Sequence, residues 1–80
     1  MRLEITTPEK NVFSGEVDVV TLPGKEGQFQ ILKDHAALVS TLATGDLVYE
    51  VSGKKETITV DGGVVQVLNN KVLVLAEGIR

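Results

Sequence analysis

The chain has 80 residues, a formal net charge of −3 and no cysteine. One domain of this length buries only about 60–65% of the surface its unfolded form exposes, so its stability is marginal and a partner improves it. The missing cysteine excludes a disulfide framework and a thiolate metal site, and the acidic balance argues against nucleic acid, which needs a basic face.

The apolar fraction of 42% is close to the globular range, which argues against disorder. No run approaches the roughly 18–20 apolar residues of a membrane span. The chain starts an alternating pattern at Met1-Arg2-Leu3-Glu4, without the apolar core of a signal peptide. These features predict a cytoplasmic soluble protein whose membrane association comes only through a partner.

The period along the chain is two. Leu3 and Ile5 alternate with Arg2, Glu4 and Thr6, as in a half-buried strand. A second alternating run, Glu16 to Leu22, closes at Pro23-Gly24. The segment Asp34–Ala43 also reads as an N-capped helix with Leu38, Val39 and Leu42 on one face. Val39, Ser40 and Thr41 are poor helix formers, however, and Gly45 ends the run early. Leu47, Tyr49 and Val51 form a further strand before Gly53-Lys54, and Ile58 and Val60 another before Asp61-Gly62-Gly63, which reads as a tight hairpin. The runs Val64–Leu68 and Val72–Leu75 are nearly unbroken, the pattern of strands buried on both faces. Asn69-Asn70 between them is a two-residue hairpin signal, since Asn tolerates positive φ. Together these predict an all-β fold, a β-sandwich or flattened barrel of about 8–10 short strands.

Candidate chemistry is sparse. His35 is the single histidine, with no neighbouring ligand at metal or triad spacing. The carboxylates are spread singly, so no pair is placed to share acid and base work. Asp61-Gly62-Gly63 is followed by strand, whereas a phosphate loop needs a helix start. Lys54 and Lys55, near a hairpin between alternating strands, leave open a carrier domain of the lipoyl or biotinyl type, modified on a hairpin-tip lysine. No catalytic residue, metal ligand or cofactor site is predicted.

Five pieces, in order, carry more information. They are Leu3–Pro8 with Val12-Phe13-Ser14-Gly15-Glu16-Val17; Gly24–Gly27; Ile31-Leu32 with His35-Ala36 and Leu38; Gly62-Gly63-Val64-Val65-Gln66-Val67; and Val72–Glu77. In this arrangement the chain resembles the N-terminal β-domain of the epsilon subunit of F-type ATP synthases. It departs from the family pattern at Gln28, Gln30, Lys33, Asp34 and Ala37. The resemblance implies a non-catalytic central-stalk subunit of a proton-translocating enzyme, coupling rotation of the c-ring to gamma and the catalytic head in ATP synthesis. It implies a gamma-facing set of Thr7, His35, Leu38 and Ser40, and a c-ring-facing loop of Lys25, Glu26, Gly27 and Gln28. It also implies a peripheral location on the cytoplasmic face of the bacterial inner membrane. The family continues into a C-terminal helical hairpin that carries its inhibition of ATP hydrolysis; the expectation for these residues is coupling without that inhibition.

Overall fold

The computed structural model describes residues 1–80 and contains strands without helices. The strands are β1 (Arg2–Thr6), β2 (Asn11–Glu16), β3 (Val19–Gly24), β4 (Gly27–Leu32), β5 (Leu38–Val51), β6 (Lys54–Leu68) and β7 (Lys71–Ala76). They form one seven-stranded sheet in the order β2-β1-β7-β6-β5-β3-β4. All pairs are antiparallel except β1 with β7, which is parallel.

The all-β expectation holds, with fewer and longer strands. β5 and β6 have 14 and 15 residues; β6 takes the place of two predicted short strands, and β5 extends the predicted Leu47–Val51 strand back to Leu38. A straight strand of that length would span about 46–50 Å, yet the longest dimension of the molecule is 25 Å. Both strands must therefore bend. Their first paired block (Leu38–Leu42 with Gly63–Val67) lies beside β7, β1 and β2; the second (Thr44–Val51 with Lys54–Asp61) lies beside β3 and β4. The one sheet thus folds over itself into two layers. Because β2 and β4 do not pair with each other, the result is a sandwich with open edges, not a closed barrel.

The bend corrects the reading of Asp61-Gly62-Gly63 as a hairpin. β6 runs straight through in register, with Thr44↔Asp61 on one side of the bend and Leu42↔Gly63 on the other. Gly62 and Gly63 supply φ of 75° and 133°, and a side chain at Gly63 would collide with the backbone of Leu75 and Ala76. Glycine serves here for close approach rather than chain reversal. The true turns are Ser52-Gly53 and Asn69-Asn70, all four residues at positive φ, as two-residue hairpins require.

The core is a single cluster that includes Leu3, Ile5, Val20, Leu22, Ile31, Leu42, Leu47, Val60, Val65, Val67, Val72 and Val74. Cross-strand rows explain its composition: Ile5, Val74 and Val65 lie side by side on β1, β7 and β6, and Leu3, Val72 and Val67 form the next inward row. Phe13 stacks on Tyr49 at 4.4 Å between ring centroids, joining the two layers. The helix alternative for Asp34–Ala43 is not realised. Asp34 sits in a turn at φ 63° and β5 begins at Leu38, consistent with the β-branched Val39 and Thr41.

Candidate interaction surface

The predicted c-ring loop is the β3–β4 hairpin. Gly24 pairs with Gly27, which leaves Lys25 and Glu26 exposed at the tip. The Lys25 N–H donates to the Thr41 carbonyl at 3.2 Å, tethering the tip to β5. A shallow groove lined by Gln28, Phe29, Val39, Ser40 and Thr41 runs between the base of this hairpin and the start of β5.

The predicted gamma-facing residues do not form one patch. Thr7 follows β1, where its hydroxyl accepts from the N–H groups of Glu9 and Lys10 at 3.3 Å each and organises the turn into β2. His35 lies near the opposite end of β1: its neighbour Asp34 donates its N–H to Asn70 Oδ1 at 3.0 Å, and the Asn70 carbonyl accepts from Arg2. From Arg2 to Thr7 the strand rises about 16–17 Å. His35 itself is exposed, with Nδ1 2.7 Å from the Ala36 carbonyl, a distance at which Nδ1 carries the proton and donates it. Leu38 packs against the core, in the row of Val67 and Val72, and Ser40 stands half-buried in the row of Val65 and Val74. Both side chains belong to the inward parity of β5.

The outward parity of the same strands holds what the sequence reading missed. Val39 (71% exposed), Leu68 (50%), Leu75 (48%) and Val64 (39%) are large apolar side chains facing solvent. Val64 pairs with Leu75, and Leu73 sits in the row of Gln66 and Val39, so these residues form one face across β5, β6 and β7. The unbroken runs Val64–Leu68 and Val72–Leu75 were expected to be buried on both sides; only one side is. The alternate residues of these apolar runs find no second layer within residues 1–80, and a contiguous exposed apolar patch of this kind marks an interaction site. Next to this face lies a small charged group: Glu4 Oε2 is 3.3 Å from Arg2 Nε and 3.5 Å from Lys71 Nζ.

No three His, Cys, Asp or Glu side chains gather into a metal-binding group. Lys54 pairs with Val51 and opens β6, so the hairpin tip is Ser52-Gly53 and not a lysine. The arrangement is a two-layer sheet with an apolar outer face and a protruding polar hairpin.

The comparisons specify the class. The family described as ATP synthase, Delta/Epsilon chain, beta-sandwich domain matches residues 1–80, and the chain belongs to it. It is 48% identical over 77 residues to the ATP synthase epsilon chain of Nitratidesulfovibrio vulgaris strain DP4, covering 96% of this chain and 58% of that protein. It is 46% identical over 76 residues to the epsilon chain of Desulforamulus reducens, covering 95% of this chain and 58% of the relative. The chain thus spans less than two thirds of the length of these relatives. Among solved structures it superposes on a chain of the Euglena gracilis mitochondrial ATP synthase (OSCP/F1/c-ring) with a TM-score of 0.91 and 27% identity, over 98% of this chain and 51% of that one. A chain of the Tetrahymena thermophila enzyme's central stalk and c-ring shares the fold, with a TM-score of 0.85 at 19% identity.

Proposed function

We propose that this domain is the β-body of a central-stalk subunit in a proton-translocating F-type ATP synthase, coupling c-ring rotation to gamma and the catalytic head. The observation that carries the reading is the family match along all of residues 1–80. The domain itself performs no chemistry. Its contribution is mechanical, because a β-body packed at crystal-like density transmits force with little compression.

In this reading the gamma subunit covers the apolar face of Val39, Val64, Leu73 and Leu75, and Thr7, His35, Leu38 and Ser40 lie at or behind its margins. The Lys25–Gln28 hairpin meets the polar loops of the c-ring. Membrane association arises through the complex, at the cytoplasmic face of the bacterial inner membrane.

Thermal melting with and without purified gamma subunit tests the proposal. Binding to the folded state alone adds about 2.7 kcal/mol at a hundredfold excess over Kd, so the midpoint should rise. An unchanged midpoint at saturating gamma would remove the reading.

A further inference from the structure

The sheet presents four stretches of open edge: β2, the first half of β6, the start of β5 (Leu38–Thr41, which the Lys25 N–H bonds at the Thr41 carbonyl), and β4. The β2 edge is broken by a bulge where the register shifts between Ile5 and Thr6, and it ends in Glu16. The first half of β6 carries Lys54, Lys55 and Glu56. Its later part is covered by the segment after β7, through Arg80 N–H to Thr59 O and Asp61 N–H to Gly78 O, both 2.9 Å, and by the Arg80–Asp61 ion pair at 2.7 Å. Bulges, charges and coverings are the devices by which sheets avoid unintended pairing. β4 has none of them. Gly27-Gln28-Phe29-Gln30-Ile31-Leu32 contains no charge and no proline, and its register with β3 is unbroken.

The direction of its backbone groups follows from the turn. In a two-residue hairpin the flanking residues, Gly24 and Gly27, form a hydrogen-bonded pair, so Leu22–Phe29 and Val20–Ile31 do as well. The intervening residues Gln28, Gln30 and Leu32 point their N–H and C=O groups away from β3. Two bonds confirm this parity. Lys25 donates away from β4 to Thr41, and the outward Leu32 carbonyl accepts from His35 N–H at 3.2 Å. Both backbone groups of Gln28 and Gln30, and the Leu32 N–H, have no protein partner.

We infer that β4 receives an extended strand from the neighbouring stalk polypeptide, one whose residues opposite Gln28 and Gln30 are uncharged. This rests on the coupling reading above and specifies how the partner is held. The groove lined by Gln28, Phe29, Val39 and Thr41 joins the start of β4 to the highly exposed Val39, so a partner seated on the apolar face reaches the edge without a gap. A second copy of this chain fits less well. Pairing along so short an edge covers far less than the roughly 1,200–2,000 Å² of a stable interface, whereas the stalk partner is already anchored on the apolar face. Backbone bonds distributed along a strand also resist shear, the load that a rotating stalk applies.

Amide hydrogen exchange of the chain, alone and bound to purified gamma subunit, tests the inference. Exchange at Gln28, Gln30 and Leu32 should slow by about tenfold or more, beyond the change at Phe29 and Ile31, which already bond to β3. Binding that slows exchange elsewhere but spares Gln28 and Gln30 overturns strand addition and leaves the coupling reading intact. No slowing anywhere overturns both. Slowing at β4 that depends on the concentration of this chain alone assigns the edge to a second copy and also overturns the inference. Gln30→Pro removes an outward N–H and the side-chain bond to Thr21 Oγ1 but no backbone bond to β3, so it should weaken gamma binding. Gln30→Ala, which loses only the side-chain bond to Thr21 Oγ1, should bind as the parent does. Equal affinities of the two folded variants would reject the strand.

Discussion

Tyr49 shows how one residue connects packing to solution behaviour. Burial, and secondarily the charge of Glu56, hold its hydroxyl above the ordinary value of 10.0. A raised folded-state pKa contributes stability that is complete below the unfolded value and is lost as pH rises through the folded one. The wild-type chain should therefore lose stability above about pH 10 more steeply than Tyr49→Phe, as measured by denaturant midpoints at pH 8 to 11. Parallel curves for the two proteins would refute this origin. The glycines separate in a similar way. Gly63 at φ 133° has no room for a side chain, whereas Gly53 at φ 81° faces open space. Gly53→Ala should cost about 1–3 kcal/mol from backbone strain alone. Gly63→Ala should cost clearly more, because it adds a backbone collision, and urea midpoints of the two variants decide the order.

Among the elements, the Asn69-Asn70 hairpin does more than reverse the chain. Both residues stand at positive φ, the Asn70 side chain accepts from Asp34 N–H, and its carbonyl accepts from Arg2 N–H. One turn thereby holds the entry to β1, the start of β7 and the segment carrying His35. Asn70→Ala removes the side-chain acceptor and strains the turn, so it should destabilise by about 1–3 kcal/mol. Exchange at the Asp34 amide should quicken more than at Val17, whose N–H binds the Met1 carbonyl at 2.8 Å. Equal acceleration at the two amides would show only a global loss of stability.

At the scale of the whole molecule, the apolar face is the feature that an isolated domain does not need. Leu75 is about half exposed and contributes little to the core. Leu75→Glu should leave the melting midpoint of the isolated chain within a degree or two, while weakening gamma binding by about tenfold or more, as a charge buried at an interface centre would. A midpoint that falls sharply would instead place Leu75 in the structural core. Unchanged gamma affinity would move the interface off this face.

Period-two alternation was enough to show strands throughout, because in a half-buried strand the side chains themselves report the inside and the outside. Leu3 and Ile5 on one parity of β1 were legible in this way, as was the Asn69-Asn70 turn, where local φ requirements select the residue. The five ordered segments likewise carried the family. The tertiary structure alone decided the rest. A pair of glycines reads alike whether the chain reverses or bends, and only the uninterrupted pairing of β5 with β6 shows that it bends. An unbroken apolar run is compatible with burial on both faces or with a second face awaiting a partner; only the layer count distinguishes them. Leu38 and Ser40 point inward and Val39 outward because β5 lies against β6 in one particular register. A shift of a single residue would exchange the two faces, and that register is set by long-range pairing that no local stretch of sequence contains.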